Sequence, residues 1–202
     1  MPEPIDLNQL KLNQLKRGEA RELRGVTLAG ADLPAVVLEG ADLAGADLAG
    51  ADLSGAVLHC ELWGASLMGA GLAAADLRGA NLRGANLMSA RLRQASLAGA
   101  SLAGASLAGA DLAGADLTSA DLRGAGLRAV NLTGANLAGA DLSGADLSGA
   151  NLEEANLAGA QLRGTLFTGA NLLCANLSGI EPQWADWRGA CLTGTQLDGT
   201  PG

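Results

Sequence analysis

The sequence predicts an all-β fold: a four-sided parallel β-solenoid whose chain turns a corner every five residues. Three observations predict it. Leucine recurs at a period of five, a small residue stands two places before it, and glycine usually stands two places after it. Asp or Asn usually fills the place just before the leucine, so the unit is A-(D/N)-L-x-G.

The beat runs from Leu23 to Leu58 in steps of five. It then slips by one residue, because Leu58 is followed by Leu62, and continues unbroken to Leu197. Of 36 central positions, Leu fills 33, and the exceptions are Phe167, Pro182 and Trp187. An α-helix returns to one face every 3.6 residues and a strand every 2, so a stripe at five buries nothing continuous on either. A corner every five residues sends each Leu to a central axis and each Ala to a tight inner corner. Gly, Asn and Asp tolerate the turn geometry that such corners need. Four corners close a square coil of twenty residues, and stacked coils pair as short parallel β-bridges.

The stretches ADLAGADLAGADLSGA (41–56) and ANLAGADLSGADLSGANLEEANLAGA (135–160) resemble the pentapeptide-repeat family. The resemblance covers residues 22–198. It implies a right-handed quadrilateral β-helix with the Leu and Ala positions inside and the other three outside. Thirty-six centres on four sides predict about nine coils, two before the slip and seven after. At the spacing of parallel strands the rod is about 43 Å long. The four-residue unit at Leu58, His59, Cys60 and Glu61 is expected to make a local kink or bulge.

The open ends of a solenoid expose backbone and apolar side chains. Residues 1–21 are expected to cap the first coil. IDLNQLKLNQLKRGEA reads as a short helix with Asp6 as N-cap and Leu7, Leu10 and Leu15 facing the coil. From 180 the repeat degrades: Pro182 and Trp187 replace Leu, and Trp184 stands out of frame. Leu166, Leu173 and Trp184 are expected to lie outward near this end, with Trp187 in a centre beside them. They form a candidate homodimer interface, since exposed apolar groups invite a partner.

Thirteen basic and 21 acidic side chains give a formal charge of −8. That argues against direct binding to nucleic acid or to an anionic membrane. Cys60, Cys174 and Cys191 are far apart and lack the density of a secreted disulfide scaffold, so a reducing cytoplasm fits best. The N-terminus is too polar and acidic for a signal peptide. The uncharged runs Gln94–Ala110 and Gly164–Ile180 keep the five-residue beat and are rich in polar small residues, so neither reads as a membrane span.

Catalysis needs acid, base and nucleophile converging in one site. The single histidine, His59, adjoins Cys60 in the slipped unit, but sequence neighbours seldom converge as base and nucleophile, and no third group orients them. The pair also lacks a metal-ligand set. Neither a cofactor motif nor a phosphate-binding glycine context is present, and the chain is expected not to be an enzyme.

Charge is banded along the rod. Residues 22–61 carry seven acids against Arg24, a net of −6; residues 76–107 carry +3; residues 108–160 carry −5. Two functions follow as expectations. In the first, the chain is a non-catalytic interaction or scaffold module that docks a protein through the outward apolar residues Trp63, Met68 and Met88. In the second, it acts as some family members do. The resemblance implies that these mimic B-DNA in shape and charge and bind type II topoisomerases. They inhibit DNA gyrase, or protect it and topoisomerase IV from quinolones. Here the acidic bands would carry the contact, through Asp42, Asp47, Asp52, Asp111, Asp116, Asp141 and Asp146, in a dimer paired by its C-terminal coils. B-DNA of the same length carries about 25 charges, so −8 with a basic central band is a modest imitation.

Overall fold

The computed structural model describes residues 21–197. The capping helix expected before residue 21 lies outside the described residues, as does the end of the last coil at 198. The described residues contain isolated parallel bridges and one short 3-10 turn, Pro182–Trp184.

One repeat shows how the chain is built. The Ala105 N–H donates to the Leu102 carbonyl at 2.9 Å, closing a turn over Ala103 and Gly104. Gly104 has φ +67°, the left-handed conformation that the third residue of a type II turn adopts. Three bonds then join this unit to the next coil. Leu102 N–H donates to Asp121 O at 2.7 Å, Gly104 N–H to Arg123 O at 2.9 Å, and Asp121 N–H to Ala100 O at 2.9 Å. Each unit thus spends its backbone groups either on its own corner or on a neighbouring coil.

Residues before the centres pair into four columns, one per side. Face one runs from Glu22 to Gln161, face two from Thr27 to Asp186, face three from Asp32 to Cys191, and face four from Val37 to Gln196. The spacing is twenty residues except across the slip, where it is nineteen, as in Asp42 to Glu61. Inside, the leucines from Leu43 to Leu157 are sealed from solvent, with alanine at the corners. Removing a leucine side chain from water contributes about 1.5–3 kcal/mol, and the repeat does this at every centre. Thr165 takes an alanine corner, and its hydroxyl donates to the Leu142 carbonyl at 2.8 Å.

The slip produces no break in the ladder, contrary to the expected kink or bulge. Cys60 N–H reaches back only two residues, to Leu58 O at 2.8 Å, so a three-residue γ-turn replaces the β-turn. The residue missing from this unit is the left-handed one at the outer corner. Cys60 keeps the buried corner position, and Glu61 still bridges Asp42 on one side and Asn81 on the other.

A true break occurs later, on face one. The Glu181 carbonyl, due to accept from Leu162 N–H, instead accepts from Trp184 N–H at 3.3 Å. Pro182 has no N–H to offer, and its own carbonyl accepts from Trp187 Nε1 at 2.8 Å. The chain bulges outward as a 3-10 turn and regains register when Phe167 N–H meets Asp186 O at 2.8 Å.

Candidate functional site

Three surfaces come from the sequence expectations: the slip, the apolar outward residues, and the acidic bands. At the slip, Cys60 is buried, and burial together with the Glu61 charge pushes its thiol up to about 12. Such a thiol holds its proton at neutral pH and is no nucleophile. His59 turns to the next coil, where its Nε2 lies 2.9 Å from Asp76 Oδ1, off the line of a hydrogen bond. The Arg78 guanidinium also grips Asp76, at 2.8 and 2.6 Å, and with His59 holds its carboxyl well below the usual range. The slip therefore carries an ion cluster and an inert thiol.

Trp63, Met68 and Met88 frame face two. Trp63 stands on the corner leading into that face and Met68 on the corner leaving it, in one coil. Met88 follows Met68 in the next coil, where Gly69 N–H donates to Met88 O at 2.9 Å. Trp63 and Met68 are each 50% exposed and Met88 41%. Between them the face offers only Ser66 and Asn86, paired across the coils. The Arg24 guanidinium stands 6.0 Å from the Trp63 ring.

The acids are less free than a smooth charge count suggests. Each of the seven candidate aspartates folds back on the chain as an Asx-turn. Asp42 Oδ1 accepts from Ala44 N–H, Asp47 from Ala49, Asp52 from Ser54, Asp111 from Ala113, Asp116 from Thr118, Asp141 from Ser143 and Asp146 from Ser148. Arginines from the preceding coil then reach four of the seven: Arg24 to Asp42 at 2.6 Å, Arg93 to Asp111 at 3.1 Å, Arg123 to Asp141 at 3.7 Å and Arg128 to Asp146 at 3.1 Å. The Arg24 hydrogen bond, joined by the Ala44 amide, holds Asp42 below its ordinary value. The Ser54 amide does the same for Asp52. Asp47, Asp52 and Asp116 have no ion pair among the described residues. The two acidic bands thus differ. The N-terminal one stays largely open, and the later one is largely neutralised.

At the C-terminal end, Leu166 is exposed, Trp184 is 52% exposed, and Leu173, on an outer corner, is half-buried. It stands in a corner column between Glu153 and Thr193, whose side chains are larger than the alanines common at such positions. Trp187 occupies its centre half-buried and stacks on Phe167. Leu192 fills a centre, which the repeat places inside, yet it is 37% exposed.

Sequence reasoning missed a cleft on face one of about 580 Å³, where the ladder breaks. Its walls include Gln161, Leu162, Arg163, Glu181 and Trp184. The replacement of Leu by Pro182 was the available signal, since a proline in a ladder removes a donor and marks an interruption.

The repeat, the square section and the four bridge columns define a parallel β-helix of the pentapeptide type. The pentapeptide-repeat profile matches eight copies, over residues 22–59, 58–84, 85–124, 110–149, 125–159 and 145–181, and the chain belongs to this family. The β-helix is accordingly right-handed. A trypsin-treated variant of QnrB1, a plasmid-mediated fluoroquinolone resistance protein, is similar at a TM-score of 0.73 and 24% identity, covering 84% of this chain and 93% of that one. Full-length QnrB1 is similar at 0.54 and 24%, over 89% and 92%. HetL, a pentapeptide repeat protein involved in heterocyst differentiation regulation in the cyanobacterium Nostoc sp. strain PCC 7120, is 31% identical over 95% of this chain and 98% of its own, at a TM-score of 0.41. No curated protein matches the chain.

Proposed function

We propose that this chain is a non-catalytic, rigid interaction module, a rod of about nine coils that docks a protein partner on face two in the cytoplasm. The carrying observation is the exposure of Trp63, Met68 and Met88 around the rung of that face formed by the uncharged Ser66 and Asn86. A docking surface concentrates its binding energy in a few large side chains of this kind. The experiment is affinity capture with the purified chain and with a variant bearing alanine at all three positions, read by quantitative mass spectrometry. Partners held by the native chain and lost by the variant support the reading. Identical capture by both sinks it.

A second reading is favoured by the open acidic band. Among the described residues Asp32, Asp47 and Asp52 carry no arginine ion pair, and they lie within a stretch of net −6. In that reading the chain is a DNA mimic that binds DNA gyrase or topoisomerase IV and modulates it or shields it from quinolones. The similar fold of QnrB1, a fluoroquinolone resistance protein, supports considering it. The active form would be a dimer joined through Leu166, Leu173, Trp184 and Trp187 at the C-terminal end. A gyrase supercoiling assay, with and without a fluoroquinolone, tests it. Inhibition or protection at micromolar protein that Asp32→Asn with Asp47→Asn and Asp52→Asn removes would support it. Supercoiling and drug sensitivity that stay unchanged would reject it. A monomeric mass by light scattering would reject the dimer.

A further inference from the structure

We infer that the cleft on face one binds a short extended peptide carrying a carboxylate, and that the peptide's backbone supplies the rung missing from the ladder at Gln161. The argument begins with hydrogen-bonding groups. In each earlier coil the centre N–H donates forward to the next coil and the corner alanine carbonyl accepts from it, as with Leu142 N–H to Gln161 O at 2.9 Å and Gln161 N–H to Ala140 O at 2.9 Å. One coil on, the equivalent bonds from Leu162 N–H to Glu181 O and from Glu181 N–H to Ala160 O do not form, because the Pro182–Trp184 turn carries the chain away. Leu162 N–H and Ala160 C=O are left facing the cleft, spaced as one strand residue requires. A buried backbone polar group without a partner is costly, so this pair is an acceptor-and-donor site waiting for a strand.

The second observation is electrostatic. Arg163 lines the same cleft and makes no ion pair among the described residues, unlike Arg24, Arg93, Arg123 and Arg128. Its guanidinium stands 5.9 Å from the Trp184 ring. The indole holds the guanidinium in place, and a guanidinium so held is suited to a carboxylate. Glu181 forms no ion pair with it; its Oε2 accepts instead from Trp184 Nε1 and from Gln183 Nε2 at 3.3 Å. A peptide residue bridging Gln161 in parallel would place the residue two positions further on towards Arg163, as Arg163 itself stands two positions after Gln161. The carboxylate would be an acidic side chain or the end of the peptide chain. The volume, about 580 Å³, suits a few residues. This surface is separate from face two, so the inference holds or fails independently of the docking reading.

The test is fluorescence polarisation with the full chain and two labelled probes: acetyl-Thr-Val-Thr-Val-Glu amide, and acetyl-Thr-Val-Thr-Val with a free carboxylate. Saturable binding of one or both is expected, and the tighter probe identifies the source of the carboxylate. Arg163→Gln should weaken binding at least tenfold, whereas Arg83→Gln, in the same column, should not. Methylating the peptide's backbone nitrogens should abolish binding. Restoring the repeat with Pro182→Leu and Trp184→Gly should close the rung and abolish binding while keeping the fold. Absence of saturation at millimolar protein, equal affinity in Arg163→Gln, or equal affinity of the methylated peptide would each overturn the inference.

Discussion

The ring of Trp187 lies flat on that of Phe167, with centroids 4.4 Å apart and planes 2° from parallel. The two residues are successive centres on face two, joined by the bond from Phe167 N–H to Asp186 O. In the central coils a leucine covers a leucine. Here the interior ends in a stacked aromatic pair, and Trp187 Nε1 also ties down the Pro182 carbonyl. Trp187→Ala removes the stack and that bond together. Because Trp187 is only half-buried, the loss should be about 2 kcal/mol, below the ~3–5 kcal/mol of a fully buried aromatic. Hydrogen exchange should show it as faster opening of the last coils, with the amides of the central coils unaffected. Uniform loss of protection along the rod would contradict this account.

The outer corner residue is left-handed whether or not it is glycine. Gln94 and Glu154 sit there with φ +57° and +58°. That conformation costs a side-chain-bearing residue about 1–2 kcal/mol, and the greater freedom of glycine in the unfolded chain returns part of it. Gln94→Gly should therefore stabilise the protein by about 0.5–1 kcal/mol, seen as a higher urea midpoint. Gly99→Ala is the mirror experiment. Nothing lies within 4 Å of the added carbon and φ is +66°, so backbone strain alone should destabilise it by about 1 kcal/mol. If the two substitutions shift the midpoint in the same direction, corner strain is not what the repeat's glycines relieve.

The central leucines, corner alanines and fourfold closure were legible because each follows from a rule confined to one repeat unit. Features that link coils were harder to read. Arg24 meets Asp42, and Arg128 meets Asp146, eighteen residues apart, a spacing that has meaning only once a coil is known to take twenty. The sequence reading put Asp and Asn in one class, since both fill the same place in the repeat and tolerate turn geometry. In the structure Asn differs, because its amide also donates along the rod. The cleft was hidden for a similar reason. Pro182 announces an interrupted ladder, but which carbonyl and N–H lose their partners depends on the preceding coil.

The asparagines make a directional ladder on face four. Asn176 Nδ2 donates to Asn156 Oδ1 at 3.0 Å, Asn156 Nδ2 to Asn136 Oδ1 at 2.9 Å, and Asn136 Nδ2 to Thr118 Oγ1 at 2.8 Å. Asn156→Asp would keep the Asx-turn to Ala158 N–H and the bond accepted from Asn176. It would replace the donor to Asn136 with an oxygen facing an oxygen. A lost bond plus an unsatisfied acceptor should cost about 1–3 kcal/mol at neutral pH. Protonating the new carboxyl restores a donor, so the deficit should shrink as pH falls below about 4, against the native chain measured alongside. A pH-independent deficit would show that the ladder contributes through packing instead.

Cys60 gives the fold a pH dependence whose sign can be worked out. Burial and Glu61 raise its thiol in the folded state from 9.0 to about 12. The unfolded chain can lose that proton above pH 9 while the folded chain keeps it. Stability is therefore unaffected below pH 9 and falls between 9 and 12, by up to about 1.4 kcal/mol per pH unit. Cys60→Ala should remove that slope without disturbing the fold, because alanine fills the equivalent corner at Ala41 and Ala80. Urea midpoints for both chains at pH 8, 9, 10 and 11 make the comparison, and basic groups shared by the two cancel. A thiol reagent at pH 7 supplies the second reading. The exposed Cys174 and Cys191 should react in the folded protein, and Cys60 only after denaturant is added. If Cys60 reacts with the other two, or the two chains lose stability in parallel with rising pH, the γ-turn at the slip opens far more readily than its unbroken ladder implies.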